Sequence, residues 1–388
     1  MKHSFSMTIQ IVLWTAAAVS GAQAWDAPVA VTPSTVWKIQ RSSNPSSMYN
    51  LLYAASAVSA NDIFAVGTYR DPEGAYVPLA EHWDGSSWSA TIPPEGPCGD
   101  FTETTPLTAV AAISSNDAWA VGYCTYPGQK LIVHWDGKAW TEVSAPEACK
   151  FTSSFLSGVT AFSPTDVWAV GGYRSLSGDC GAGFYRPLTL HWDGSNWKVI
   201  PPQLPTHASS FFTAVAGTSS SDLWAVGTTD AQAPVIEHWD GSEWKMVNSP
   251  GSKIEFTGIV ALTPTNAWAV ASNVACQGGC KTPLIEHWDG SIWSIVSAPK
   301  GKSSRNVAAI AAASPNDIWA VGSSGSNPPV STLTLHWDGQ RWSVVPSPPH
   351  GQAQLFGVTA LPTGDVWAVG FRYREPVLKT LVLTKTGK

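Results

Sequence analysis

Six histidines stand at matching places in the chain. His82, His134, His191, His238, His287 and His336 each open the phrase His-Trp-Asp-Gly-x-x-Trp. Histidine can act as a general base, a proton shuttle or a metal ligand, so the set invites a catalytic or metal-binding reading. Such chemistry needs a group once, in one geometry, whereas a position rewritten in every repeat belongs to the scaffold. These side chains are therefore expected to be hydrogen-bonded structural groups. Beside them, only Glu81, Glu237 and Glu286, each directly before a His, recur as charged neighbours. Acid-base catalysis would ask for a paired carboxylate or a His/Tyr cluster. Asp71, Glu73, Asp179 and Glu375 are carboxylates between repeats, but no spacing singles out a pair. No catalytic residue is assigned.

The six cysteines carry a second possible chemistry. Cys98 and Cys124 flank one repeat as Cys149 and Cys180 flank the next, and Cys276 and Cys280 bracket a short loop. A metal site would show Cys-x-x-Cys spacing or nearby His, and neither is present. The parallel placement predicts disulfides Cys98 to Cys124, Cys149 to Cys180 and Cys276 to Cys280, with no metal and no cofactor.

Tyr and Arg supply the third chemistry, recognition. Seven of the nine Tyr and five of the eight Arg fall between the repeated phrases. They are Tyr69, Arg70, Tyr76, Tyr123, Tyr126, Tyr173, Arg174, Tyr185, Arg186, Arg372, Tyr373 and Arg374. Gly-Thr-Tyr69-Arg70 and Gly-Gly-Tyr173-Arg174 repeat in register. These two residue types combine large contact area with directional polar groups, which is why they concentrate at binding hot spots. The twelve are read as a ligand-binding patch. The bland alternative is that they cover the bases of their own loops.

Strands must position these groups. Asp-Gly between two Trp is a hairpin signal, because Gly accepts the positive φ of a reversal and aromatic residues favour the flanking strands. A second phrase, Asp/Asn-x-Trp-Ala-Val-Gly, begins at Asp62 (with Phe64 in the Trp place), Asp117, Asp166, Asp222, Asn266, Asp317 and Asp365. Asp62 to Asp365 spans 303 residues in six steps, about fifty per step, the length of a four-stranded propeller blade. Seven copies of one phrase against six of the other leave the last blade without its final Trp strand. Thr35-Val-Trp37-Lys-Ile-Gln resembles that missing strand. The sequence thus predicts an all-β, seven-bladed β-propeller of four-stranded antiparallel blades, its ring closed by an N-terminal strand pairing with the C-terminal one. Closure removes exposed sheet edges.

The expected boundaries follow. Residues 1–24, with Lys2, an apolar run from Ile9 to Val19 and Ala22-Gln-Ala24, read as a cleaved secretory signal peptide. Residues 25–34 form a lead, and 35–388 the propeller. Within it, 35–45 hold the outermost strand of blade 7, about 51–348 hold blades 1–6, and 353–384 complete blade 7. The first strand of each blade is small and apolar, as in Ser157-Gly-Val-Thr-Ala161, which suits strands converging on an axis. Of the 21 Trp, 19 fall in repeated slots, where they are expected to pack between blades.

A Trp strand, an inner strand and then an aromatic-hydrophobic-Val-Gly strand resemble the kelch-like propellers, including that of galactose oxidase. The resemblance covers nearly the whole chain after the leader. It departs where kelch blades carry Gly-Gly, found here only at Gly171-Gly172, and Ala271 replaces Gly in blade 5. By analogy alone it implies either a binding propeller or a copper oxidase.

Charged residues are 13% and the net charge is -6, with no basic stripe, which argues against nucleic acid as partner. Loops after the second and fourth strands should share one face, and only these vary in length. Variation on one face of a rigid scaffold is where binding is placed. The sequence reading is a secreted or periplasmic binding module, expected to be monomeric and not inserted in a membrane, that recognises a glycan or an extracellular protein. The alternative is a propeller enzyme acting on glycans as hydrolase, lyase or oxidase.

Overall fold

The computed structural model describes residues 36–96, 106–125, 128–149, 152–175, 183–203, 209–273, 282–301, 304–325 and 330–387. The signal-peptide reading, Tyr126, Cys98, Cys180, Cys276 and Cys280 lie outside the described residues. Ser34–Lys388 forms one compact unit. Its described residues build 28 strands in seven sheets of four. The chain is a seven-bladed β-propeller.

Blade 1 contains β2 (Asn50–Ser59), β3 (Asp62–Arg70), β4 (Tyr76–Trp83) and β5 (Trp88–Thr91), hydrogen-bonded in that order. Five blades repeat this pattern. Blade 7 instead orders β1 (Lys38–Gln40), β28 (Val377–Lys385), β27 (Val366–Arg374) and β26 (Gln352–Ala360). Lys38 pairs with Thr384 and Gln40 with Val382, so the two ends of the propeller share a sheet. Trp37 is 2% exposed and packs in one cluster with Leu381 and Leu383. The predicted closure is present. Lys385, opposite Val366, stands in the third strand where the other blades carry the Trp of His-Trp, and its Nζ lies 5.5 Å from the ring centroid of Trp319.

The two sequence phrases interlock. Each His pairs across a strand boundary with the first residue of the other phrase: His82 Nε2 with Asp62 at 2.7 Å, His134 with Asp117 at 2.9 Å and His287 with Asn266 at 3.0 Å. His191, His238 and His336 repeat the contact. Each imidazole also lies 4.2 to 4.4 Å, centroid to centroid, from the aromatic ring of that second phrase. The structural reading of the six histidines stands.

That aromatic ring is then clamped by two Trp of the next blade. Trp224 lies 4.9 Å from Trp288 and 5.2 Å from Trp293, the latter edge-on at 88°. The same trio links Trp119 to Trp192 and Trp197, and Trp367 to Trp83 and Trp88. Edge-to-face contacts of this kind add to area burial, so the ring is held mainly between blades.

Near the axis, inner strands meet backbone to backbone. A Cβ on Gly357 would lie 2.8 Å from Ala54 Cα, and one on Gly158 would lie 3.2 Å from Ala214 Cα. Small residues are needed because the neighbouring strand fills the space. Each first strand also carries a β-bulge, between Leu52 and Ala54 in blade 1. The bulge turns the Leu51 carbonyl to within 2.0 Å of where a Gly67 Cβ would stand, which explains the Gly that ends the second phrase. At the bulges of blades 2 to 5 a hydroxyl stitches neighbours together. Thr108, Ser157, Thr213 and Thr257 donate to Leu156, Phe212, Phe256 and Val307 carbonyls at 2.6 to 2.9 Å.

Candidate functional site

The predicted Tyr and Arg residues were expected in connecting loops. The structure corrects this: those it describes lie on the strands themselves. Tyr69 and Arg70 end β3, and Tyr76 begins β4. Tyr123 is the penultimate residue of β7 (Asp117–Cys124). Tyr173 and Arg174 lie in β11 (Asp166–Ser175), and Tyr185 and Arg186 begin β12 (Tyr185–Trp192). Arg372, Tyr373 and Arg374 end β27. The ladders run further than the repeated phrases, with Arg70 opposite Tyr76 and Arg174 opposite Tyr185. Aromatic and long side chains favour such cross-strand pairs, so the pairing extends to the loop.

Blades 1 and 3 carry the same device. The Arg70 guanidinium lies 5.9 Å from the Tyr76 ring centroid, and Arg174 lies 5.9 Å from that of Tyr185. Arg70 Nε also donates to the Gly74 carbonyl at 3.1 Å, within a turn closed by Asp71 accepting from the Ala75 amide at 2.7 Å. Arg174 Nε is buried without a hydrogen-bond partner. Among the described residues none of Arg70, Arg174, Arg186, Arg372 or Arg374 forms an ion pair.

The structure adds aromatics that the sequence reading passed over. Phe155 touches Tyr123 at 6.1 Å, Tyr185 at 6.0 Å and Phe211 at 5.7 Å, each ring edge-on to the next. These rings come from three successive blades, so the strand ends that carry them share one face. Tyr53 meets Phe356 at 5.4 Å and Tyr49 meets Tyr76 at 4.7 Å, which continues the belt through blades 7 and 1. Burial pushes the phenols of Tyr49, Tyr53 and Tyr123 up, so these rings stay neutral. The Gly171-Gly172 pair belongs here: a Cβ on Gly172 would stand 2.8 Å from Phe155 Cζ and from Phe211 Cβ. Phe155 and Phe211 occupy the same slot of their first strands, opposite Gly172 and Thr228, and that alignment was the available signal.

Not every predicted residue joins the belt. Tyr69 and Tyr173 pack against the clusters between blades, closer to the loop-covering alternative. Arg372 lines a cleft between blades 7 and 1. Cys124 and Cys149 are each disulfide-bonded.

Glu81, Glu237 and Glu286 are buried to 1% exposure or less. Each accepts from the chain that leaves the fourth strand of the preceding blade: Glu81 from the Ser43 amide, Glu237 from the Gln203 amide, and Glu286 from the Ser249 hydroxyl and Gly251 amide. One oxygen of each carboxylate has no partner. Burial pushes the carboxyls up to about 8, about 7 and about 6 in that order. Their partners are blade junctions, which makes them structural acids. Among the described residues there is no cluster of three or more His, Cys, Asp or Glu able to hold a metal ion. No helix among them is long and apolar enough to cross a membrane.

No protein-family model matches the sequence, and no curated protein matches it. Solved structures do share the fold. YCF48 bound to D1 peptide is 14% identical, with 92% of this chain and 99% of that chain covered at a TM-score of 0.58. YCF48 from Cyanidioschyzon merolae is 16% identical, with 91% and 99% covered at 0.57. A chain of the mitotic checkpoint complex is 12% identical, with 98% and 100% covered at 0.54. Identities this low speak for the propeller fold alone.

Proposed function

We propose that this protein is an exported binding module that holds a protein segment on the aromatic and arginine belt of blades 7, 1, 2, 3 and 4. The observation that carries the reading is the duplicated Arg-over-Tyr pair, Arg70 on Tyr76 and Arg174 on Tyr185, with the Arg174 Nε left without a partner. Guanidinium groups already ordered on aromatic faces bind carboxylates or carbonyls with little further loss of side-chain freedom. The apolar rings between them offer seats for hydrophobic side chains. Support comes also from YCF48, a propeller of the same fold whose structure holds a peptide. A glycan is the second reading, favoured by the half-buried Tyr76 and Tyr185 rings that lie beside guanidinium donors.

Export is part of the proposal. The leader-like residues 1–24 and the disulfide-bonded Cys124 and Cys149 support it, since disulfides persist in oxidising compartments. The proposed pairing is Cys98 to Cys124, Cys149 to Cys180 and Cys276 to Cys280, to be read by non-reducing peptide mapping. Kinship with the kelch-like propellers is likewise proposed, on repeat period and strand order.

The test is selection from a random displayed-peptide library, run beside a glycan array, with the parent and an Arg70→Gln/Arg174→Gln variant. Peptides that bind the parent and lose about tenfold or more in affinity on the variant are expected, from the loss of two charge-assisted contacts. Glycan hits alone would move the reading to the second ligand class. Peptides that bind both proteins equally would refute the belt as the site.

A further inference from the structure

The junction that closes the ring holds a cleft of about 540 Å³ between blades 7 and 1. It is lined by Gln40, Arg41, Trp88, Arg372, Lys379 and Thr380, together with the Ser42 to Asn44 tail and the Ser86-Ser87 turn. Its size lies within the usual range of small-ligand sites. Three cations from separate segments line it, and none of Arg41, Arg372 and Lys379 forms an ion pair among the described residues. In a chain of net charge -6, three unpaired cations around one cavity are an accumulation of positive potential.

The cavity is also built in advance. The Thr380 hydroxyl donates to the Ser43 carbonyl at 2.9 Å, and its amide donates to Asn44 Oδ1 at 3.0 Å. Ser42 and Thr380 share a hydroxyl contact at 2.6 Å, and the Ser43 hydroxyl reaches the Trp88 carbonyl at 3.1 Å. Both blades therefore fix the tail that carries Arg41. The acids nearby are engaged: Asp84 accepts from Ser86 and Ser87, and Glu81 accepts from Ser43. Arg372 Nε is buried and has no hydrogen-bond partner.

We propose that this cleft binds an acidic saccharide, with Arg41, Arg372 and Lys379 receiving its anionic group and the Gln40, Ser and Thr side chains meeting its hydroxyls. A bare anion would leave most of the volume and the row of polar side chains unused, whereas a one- or two-ring sugar fills both. Ile39, 40% exposed, supplies the apolar surface that a sugar ring's C–H face requires, with the edge of the buried Trp88 beside it. The site stands apart from the Arg70 and Arg174 belt, so either proposal can fail without the other.

The test is calorimetric titration of the protein with glucuronate, glucose 6-sulfate, glucose and inorganic sulfate. Glucuronate or glucose 6-sulfate is expected to bind with Kd in about the millimolar range and at least about tenfold more tightly than glucose or sulfate. Preference between the first two tells a carboxylate ligand from a sulfate ester. Arg372→Gln/Lys379→Gln should weaken binding by about tenfold or more, and Lys245→Gln, on the outermost strand of blade 4, should leave it within about twofold. Raising salt from about 0.02 M to about 0.3 M should also weaken it. Equal binding of inorganic sulfate, binding indifferent to the double substitution, or no heat from either acidic sugar would overturn the proposal.

Discussion

Replacing Glu81 by Gln should flatten the dependence of stability on pH. The Glu81 carboxyl is 1% exposed, accepts one bond from the Ser43 amide at 3.3 Å, and leaves Oε1 without a partner. Burial raises it from 4.5 to about 8, against a smaller lowering by the Ser43 bond. Because the folded value lies above the unfolded one, the folded state holds the proton more tightly. The resulting stability is fully present below about pH 4.5 and is lost as pH rises through about 8. The gap between the two values corresponds to about 5 kcal/mol, an order-of-magnitude figure. Glu237 and Glu286 act with the same sign, lost as pH rises through about 7 and about 6. His287 and His350, pushed down by burial, are common to parent and variant. Gln keeps the shape and the acceptor for Ser43, and any cost of its buried amide is the same at every pH. The slope is therefore the readout. Urea unfolding followed by Trp fluorescence at about pH 5, 7 and 9 should show the parent losing several kcal/mol more than Glu81→Gln over that span. Parallel profiles for the two proteins would refute the assignment of a buried, proton-holding acid at the closing junction.

Two further expectations concern the scaffold. Trp224→Ala removes a ring that is 1% exposed and clamped by Trp288 and Trp293, and should cost about 3 to 5 kcal/mol through the cavity it leaves; a melting curve matching the parent would contradict this. Asp117→Asn should cost no more than about 1 kcal/mol, because blade 5 already satisfies His287 with Asn266 at 3.0 Å. A much larger loss in chemical denaturation would mean that the other His-Asp pairs depend on charge.

The repeated phrases made the architecture legible because a blade is a local object. Its strands are consecutive, the Asp-Gly turn names the hairpin, and Gly85 at φ 91° shows the positive φ that the sequence called for. The spare seventh phrase and Trp37 were enough to place the closing strand, since β pairing leaves one vacancy for one strand. The role of the six histidines was legible from repetition, but their Asp and Asn partners were not. Asp62 and His82 belong to different phrases and meet only once β3 and β4 are in register.

What lies between blades was decided by the tertiary structure. The sequence alone fixed the number of blades, their strand order and the closure, all set by period and by neighbours in the chain. The clamp on Trp224, the Gly357 contact with Ala54, the buried end of Glu81 and the aromatic belt join residues of different blades, Gly357 and Ala54 being far apart in the chain but neighbours in the ring. Their geometry follows from the twist of each sheet and the curvature of the whole ring, which no local pattern encodes. That is why Arg372 could be read as a surface residue and yet lines the cleft where the ring closes.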